Sequence, residues 1–488
     1  MKYIQPADRH QYNLLSSLDD LVGPEHPVRI IDVIIESIVL SEIERFEPER
    51  ENEAGRSAYE ASTLLKLYLY GYFNGISSSR KLEVETYRNK EVIWLLGNLT
   101  PDHWTISNYR KEHGEDIKYV TKKFREFLRD NGYIMLKTAA VDGSKVKAYT
   151  NREMLTKEKI EKKLLGIEKK IEEYLSKITE NDRIDEVIEE VEHVGAENVS
   201  KKYLSEIARL RGEVEDLERQ KKILEEEKRK YISRGDTEAR LMKSRDGKIP
   251  AYNVQIVVDA ENKMIADSEV VTEETDLEQL PEMIKSIKEE LGKVPGEVIA
   301  DRGYNTLDLI EQIQKQEEGL QVYTSQATTK RDKEEIKFEY NKEKDEYECS
   351  AGKRLVLLTK NKKDGSSIVN VYRGVECEGC PLRSKCTDAK RGRTYKRHIN
   401  EQWRQAYRAK MKSKSAMEKL SKRKTIVEHP FGTIKYLMGK IPLLLRGLEK
   451  VKTEINIYTT VYNLKRLIKI RAFEDLMIEI ENYRWKTA

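Results

Sequence analysis

The chain has 488 residues, of which 36% are charged and 8% aromatic, a length that allows two or three domains with substantial cores. Lys and Arg total 90 against 86 Asp and Glu, so the net charge of +4 excludes strong global attraction to nucleic acid and leaves such binding to local basic segments. No apolar run approaches the ~20 residues of a membrane-spanning helix, and residues 1–20 lack a signal-peptide pattern, so we expect a cytoplasmic protein with no membrane partner.

Residues 1–133 are predicted to form an all-helical domain, because apolar residues recur there at helical spacing. Breaks near Gly75 and Gly97 are each followed by a helix that carries basic residues. This arrangement fits a helix-turn-helix facing DNA, and it equally fits an ordinary helical bundle with an exposed basic face. We expect Trp94 and Trp104 to be core residues.

A carboxylate interrupts the first predicted strand, where Asp142 lies in the middle of the apolar, β-prone residues 137–147. An unpaired carboxylate in a core is so costly that it is normally neutralised, paired or bound to a metal. Asp301 ends a second apolar strand at 297–301, and Glu428 lies within a strongly basic segment. Three carboxylates from distant parts of the chain predict a divalent-metal site.

Residues 153–232 are predicted to be an inserted antiparallel coiled coil. Two apolar seams with alternating spacings of three and four residues flank an acidic, Gly-containing tip at 180–198. At ~1.5 Å per residue the hairpin would extend roughly 40 Å or more. A structural spacer and a dimerisation or DNA-bracing arm both fit this pattern.

The segments 134–152 and 233–325 on either side of the hairpin are predicted to form one α/β core. Their strands and helices follow the order β, β, β, α, β, α, β, with Thr275 and Asp276 as the cap of the first helix, which extends through Leu291. This order matches the RNase H-like fold, in which strands one and four are neighbours. Asp142 and Asp301 would therefore lie side by side.

The cysteines cluster in a second insertion, residues 326–400. Cys349 stands alone, whereas Cys377, Cys380 and Cys386 follow one another closely. Four such residues can close a tetrahedral, structural zinc site, and the alternative is four free thiols.

Residues 401–488 are predicted to be helices that complete the core and carry Glu428. Trp403, Arg404 and Arg408 interleave an aromatic residue with basic ones, a pattern that suits stacking on displaced bases, although a Trp at helical spacing is more often buried. Residues 391–424 hold 13 Lys or Arg against two acids, which fits either phosphate contacts or a solvated helix face.

Three sequence blocks resemble the catalytic blocks of bacterial insertion-sequence DDE transposases: VDGSKV at 141–146, ADRGY at 300–304 and VEHPFGTIK at 427–435. The resemblance extends over nearly the whole chain. It implies an RNase H-like core that hydrolyses transposon ends and joins the freed 3′-OH to target DNA, using two Mg²⁺ or Mn²⁺ ions. Asp142, Asp301 and Glu428 match the family's metal-binding triad.

The resemblance also covers a Tyr-Arg-Glu-Lys signature, in which Lys435 matches the lysine, while Ser421 and Lys424 depart from the tyrosine and the arginine. Lys424 can still meet a phosphate, but not bidentately. The implied partners are double-stranded DNA, as terminal inverted repeats and as target, and a second copy of the chain in a synaptic homodimer at the bacterial nucleoid. Two competing interpretations are a metal-dependent nuclease or resolvase without strand transfer, and a non-catalytic DNA-binding scaffold.

Overall fold

The computed structural model describes residues 17–46, 58–150, 153–187, 196–244, 247–326, 336–365, 367–437 and 443–485, without the side chains of 181–187, 196–200 and 435–437. The helices are α1 (Pro27–Ser41), α2 (Ile43–Phe46), α3 (Ala61–Phe73), α4 (Ser79–Arg88), α5 (Lys90–Leu95), α6 (His103–Glu112), α7 (Gly114–Asp130), α8 (Lys157–Val187), α9 (Ala196–Glu226), α10 (Gln279–Leu291), α11 (Leu307–Gln316), α12 (Arg383–Cys386), α13 (Glu401–Met411), α14 (Lys414–Leu437), α15 (Leu448–Ile470) and α16 (Phe473–Asn482).

The strands are β1 (Thr138–Lys147), β2 (Met154–Leu155), β3 (Ile232–Ser233), β4 (Arg240–Ser244), β5 (Gly247–Asp259), β6 (Ile265–Val271), β7 (Glu297–Ala300), β8 (Gln321–Thr324), β9 (Phe338–Asn341), β10 (Glu346–Cys349), β11 (Arg354–Asp364), β12 (Ser367–Gly374) and β13 (Thr394–His398). Short 3₁₀ helices lie at Leu18–Leu21 and Arg302–Tyr304. The chain is thus a mixed α/β protein. None of the described helices is long and apolar enough to cross a membrane.

The central sheet pairs its strands in the order β6-β5-β1-β7-β8, with β4 on the first part of β5. β5 is antiparallel to β1 and β6, whereas β7 is parallel to both β1 and β8. The apolar start of β1 is buried on both faces, which is typical of a central strand. Val141 is paired with Ala300, where β7 ends while β1 continues. The sheet is therefore open on the β7 side of Asp142.

Helix α15 joins the amino-terminal helices to the sheet. It packs on β6, α7 and α3, and it is apolar or buried around most of its surface. The side-chain amide of Asn463 accepts from the N–H of Ile265 and donates to its carbonyl, both at 2.8 Å, so the edge strand β6 is satisfied by a side chain. One hydrophobic core runs from Val22 to Ile480, and the domain boundary predicted at residue 133 does not divide it.

The inserted hairpin consists of α8 and α9, which run antiparallel. Lys157 pairs with Glu225 near the base at 2.7 Å, and the rings of Tyr174 and Tyr203 stack farther out with centroids 5.4 Å apart. The hairpin has its own apolar cluster, separate from the main core. Part of the predicted tip, residues 188–195, lies outside the described chain, and a supercoiled coiled coil stays a prediction.

The cysteine-bearing segment forms a second, antiparallel sheet with the order β13-β12-β11-β10-β9. Tyr347, Leu355 and Tyr372 form its small core. This insertion therefore has a sheet of its own between β8 and α13.

Arg125 on α7 ties three elements together in the main core. It is 2% exposed, and its Nη1 lies 3.1 Å from Asp267 on β6 and 2.8 Å from Glu290 on α10. Its Nη2 donates to the hydroxyl of Ser268 at 2.6 Å. Burial raises the pKa of Asp267, and the Arg125 guanidinium opposes that rise.

We expect Arg125→Met to lower the free energy of unfolding by roughly 3 kcal/mol, because it leaves two acids in the core without their cation. Urea unfolding at pH 7 measures this loss. The matched control is Lys285→Met, since Lys285 is 68% exposed and lies 3.9 Å from Glu289; its expected effect is below about 0.5 kcal/mol. Equal losses of unfolding free energy in the two variants would contradict the role of Arg125 as the stabilising cation of the core.

Candidate active site

Asp142 lies where the covering strand β7 ends. Its side chain is 22% exposed, and Arg423 on α14 places Nη1 3.2 Å from Asp142 Oδ1. Desolvation raises the pKa of Asp142 to about 6; the Arg423 charge lowers that pKa and the Asp301 charge raises it. Arg423 is therefore the counter-charge of Asp142 in this arrangement.

Asp301 follows β7 directly and begins the 3₁₀ helix Arg302–Tyr304. Its Oδ1 accepts the N–H of Gly303 at 2.6 Å, which fixes the carboxylate in the turn. Within the described residues no hydrogen bond involves Oδ2. The parallel register of β1 and β7 thus brings Asp142 and Asp301 to one edge of the sheet.

A third acid at this edge, Asp276, was missed as a site residue by the sequence analysis. The prediction that Thr275 and Asp276 cap α10 is wrong, because the helix begins at Gln279 and Glu278 is the cap residue. The Asp276 Oδ1 instead accepts from Asn253 at 2.8 Å and from Gln255 at 2.7 Å. Two buried amides at alternate positions of the otherwise apolar β5 were the signal, because buried amides need polar partners.

Glu428 is not brought to this group. It is exposed on α14, while Val427 is fully buried and Arg423 faces Asp142. Five helical residues correspond to a rotation of about 140°, so Arg423 and Glu428 point to different sides. No set of three or more His, Cys, Asp or Glu side chains in the described ranges is close enough to hold a metal ion.

The helix α14 runs through Pro430. Proline lacks the N–H that would bond the carbonyl four residues earlier, which weakens the helix at this turn. The weakened turn lies directly after Glu428.

Two of the proposed DNA contacts are used inside the protein. Trp403 stacks on Tyr407 with ring centroids 5.2 Å apart and packs on the main core. Arg404, 14% exposed, is ion-paired with Asp308 on α11. These contacts favour a role for Trp403 in the protein core over stacking on DNA bases.

The remaining proposed DNA contacts lie farther out. Arg408 is 3.1 Å from Glu401 and is partly exposed, and Lys424 is exposed. The side chain of Lys435 lies outside the described part of the structure.

The expectation that Trp104 is a core residue is wrong, since its side chain is 70% exposed. Helix α6 buries Ile106, Tyr109 and Arg110, and Trp104 precedes Ile106 by two residues, which places it on the opposite face. Trp94 is partly buried, as expected, and donates to Asp19 at 2.9 Å.

The four cysteines border one pocket in the second sheet, together with Phe338 and Leu355. Burial raises the pKa of the Cys386 thiol, Arg393 lowers it, and the other three cysteines raise it further. The described arrangement gathers the cysteines around a common space without bringing three of them to metal-binding distance.

Two family models match the chain. The model described as "Transposase DDE domain" matches residues 348–468, and "Transposase domain (DUF772)" matches residues 16–112. These matches indicate a transposase of the DDE class. Together they support an insertion-sequence DDE transposase. The DDE-domain match includes Glu428 but neither Asp142 nor Asp301, and the Tyr-Arg-Glu-Lys signature stays a prediction.

No curated protein sequence matches the chain. Among solved structures, a piggyBac transposase synaptic complex with hairpin DNA is similar to 94% of this chain and 85% of its own, with 10% identity and a TM-score of 0.22. A score this low does not establish a common fold.

Because the pKa of Asp142 rises from an ordinary 3.8 to about 6 on folding, its ionisation opposes folding. The penalty is absent below about pH 4 and complete above about pH 6 to 7. A change of one in pKa corresponds to about 1.4 kcal/mol, so we expect Asp142→Asn to unfold with roughly 2 kcal/mol more free energy at pH 8 without divalent ions. The advantage should vanish as the pH falls to 4.

Urea unfolding of both proteins from pH 4 to 8 in EDTA measures this difference. Glu418→Gln, an exposed change on α14, should track the wild type at every pH. An Asp142→Asn protein that is less stable at pH 8 would show that the Arg423 ion pair outweighs desolvation.

Proposed function

We propose that the chain binds the terminal inverted repeats of its insertion sequence, hydrolyses the DNA ends and transfers the 3′-OH to target DNA. The observation that supports this most directly is the parallel register of β1 and β7, which aligns Asp142 with Asp301 at an open sheet edge. Open α/β sheets place their sites at the carboxyl ends of strands, as here. The transposase family matches supply the reaction class.

The core fits the RNase H-like fold proposed from the sequence. The order β6-β5-β1-β7-β8 is an antiparallel three-strand meander extended by two parallel strands. Crossover helices α10 and α11 precede β7 and β8. The insertion α8–α9 interrupts this core after β1, and the cysteine-bearing sheet interrupts it after β8.

The donors at the sheet edge fit hard divalent cations, since Mg²⁺ and Mn²⁺ prefer carboxylate oxygens. Arg423 already supplies positive charge at Asp142, which indicates that this position favours a cation. Asp142 and Asp301 would hold the metal, with Glu428 as the third proposed ligand. When bound, two such ions activate the attacking oxygen and stabilise the leaving oxygen of a phosphodiester.

Glu428 can join the other two acids only after a change in α14. We propose that DNA binding supplies it: phosphates would attract Arg423 away from Asp142, and the helix is weakened at Pro430. The release of Arg423 would also leave Asp142 free to bind metal. Lys424, already exposed beside Arg423, would contact the backbone.

The remaining proposals concern assembly. The amino-terminal helices would bind the transposon end, the basic residues around α13 and α14 would neutralise phosphates, and two chains would form the synaptic complex. The α8–α9 hairpin, which packs apart from the main core, would act as a dimerisation or bracing arm.

A plasmid assay tests the reaction. With Mg²⁺ and a supercoiled plasmid that carries the element's ends, we expect the wild type to yield joined products, and Asp142→Asn, Asp301→Asn and Glu428→Gln to lose both cleavage and joining. DNA binding in a gel-shift assay should remain, because these groups act on the reacting phosphate through metal. Glu418→Gln is the control for α14 and should stay active.

Other outcomes would identify the competing interpretations. Cleavage without joined products would indicate a nuclease or resolvase. A gel shift without any cleavage, in wild type and variants alike, would indicate a DNA-binding scaffold. Full activity of Glu428→Gln alone would remove that residue from the triad.

We also propose that the pocket of Cys349, Cys377, Cys380 and Cys386 binds a structural zinc ion, because four thiols border one space. With all four positions filled by thiolates, the site would have no open position for catalysis. The ion would draw the sulfurs together and stabilise the second sheet.

We expect the purified chain to contain one zinc per molecule by elemental analysis, and Cys380→Ser to lose most of it. The Cys380→Ser chain should also be cut faster by protease within residues 336–400. Ser350→Ala, beside Cys349 and exposed, should keep its zinc. Zinc-free wild-type protein purified without chelators would support free thiols instead.

A further inference from the structure

We infer that Asp276 is a further carboxylate of the catalytic centre, and that its Oδ2, which lies beside Gly303, is available to a divalent cation. This inference rests on the proposed function and adds a residue to the three proposed from the sequence. It is carried by the hydrogen bonds of one Asp276 oxygen, by the position of the other, and by an unsatisfied acceptor beside them.

The Oδ1 of Asp276 is fully engaged. It accepts from Asn253, from Gln255 and, at 3.2 Å, from the ammonium of Lys145. The Oε1 of Gln255 in turn accepts from the hydroxyl of Tyr304, which fixes the orientation of that amide. Strands β1 and β5 therefore hold this carboxylate in place, although it lies in the turn between β6 and α10.

The Oδ2 of Asp276 lies beside Gly303, in the turn that Asp301 begins. A Cβ atom placed on Gly303 would lie 3.4 Å from Asp276 Oδ2 and 2.9 Å from Asp301 Oδ1, so the two oxygens border the same small space. In the described residues no hydrogen bond involves Asp276 Oδ2. The absence of a side chain at Gly303 keeps the space between the two carboxylates open.

Gly143, which follows Asp142, also leaves space beside Asp276 because it has no side chain. A Cβ atom there would lie 2.8 Å from Asp276 Oδ1 and 3.1 Å from Asn253 Oδ1. Asp276 thus reaches the residue that follows Asp142 as well as the turn that follows Asp301. A bulkier residue at 143 or 303 would separate the acids.

An independent observation points to a missing ligand. The Oδ1 of Asn253 is fully buried and has no hydrogen-bond partner in the described part of the chain, while its Nδ2 donates to Asp276 and to the carbonyl of Glu273. An unsatisfied buried acceptor costs about 1–3 kcal/mol. A hydrated cation held by Asp276 would bring water donors to this acceptor.

The structural alternative is that Asp276 only connects β1 and β5. Asp259 shows what such a residue looks like here, because its two oxygens accept four backbone N–H groups, among them those of Leu136 and Asn262. Asp276 differs, since its Oδ1 accepts all three hydrogen bonds and its Oδ2 accepts none from the described residues. That asymmetry is expected of a metal ligand with a supporting shell.

The test measures Mn²⁺ binding by electron paramagnetic resonance, with the full chain bound to a duplex that ends at the element's terminus. We expect Asp276→Asn to weaken Mn²⁺ binding roughly 10-fold or more. Its melting temperature without metal should stay near that of the wild type, because an Asn Oδ1 still accepts from Asn253 and Gln255. Glu274→Gln, an exposed change in the same turn, is the matched control and should bind Mn²⁺ normally.

The outcomes separate this inference from the proposed function. If Asp276→Asn binds Mn²⁺ like the wild type while Asp142→Asn does not, the inference is overturned and the proposed function stands. If Asp142→Asn and Asp301→Asn also bind normally, or the wild type binds none, both are overturned. A large fall in the melting temperature of metal-free Asp276→Asn, with unchanged Mn²⁺ affinity, would assign Asp276 a purely structural role.

Discussion

The charge of Asp142 is the constraint on which the candidate site depends. β1 carries this carboxylate past the point where β7 ends, into an environment that penalises its ionised form. The guanidinium of Arg423 balances this charge, with its Nη1 3.2 Å from Asp142 Oδ1. The ionised form of Asp142, which burial destabilises, is thus balanced by one guanidinium. The proposed metal site would require that a metal cation take the place of this guanidinium.

Other buried acids in this protein are satisfied differently. Asp259 accepts backbone N–H groups from two loops, and Asp267 is paired with Arg125 inside the core. Each of these acids has partners that the fold holds in place. Asp142 and Asp301 instead lie where β7 ends, and Asp276 lies beside Gly143 and Gly303. Burial alone therefore does not identify the candidate site, and the acceptor oxygens without a donor distinguish it from the other buried acids.

The strand that carries Asp142 and its pairing with the strand before Asp301 could be predicted, because alternation of apolar runs and turns is local and the element order restricts the topology. Asp276 could not be assigned in this way, since its role depends on amides that β5 presents more than twenty residues earlier in the chain. The sequence pattern also does not show toward which side of α14 the Glu428 side chain points. Its neighbours are basic on most sides, and only packing shows that Val427 and Arg423, rather than Glu428, face the sheet.

Helix α15 connects the candidate site to the amino-terminal helices. The division of the sequence into segments does not show this connection. Glu454, fully buried, accepts from the N–H groups of Leu444 and Leu445 just before α15, and lies 3.7 Å from Arg110 of α6. The same helix packs against α14. A displacement of α6 would therefore disturb a buried ion pair beside α15, and a packed core resists such partial displacement. The amino-terminal helices and the helix that carries Arg423 therefore belong to one packed core.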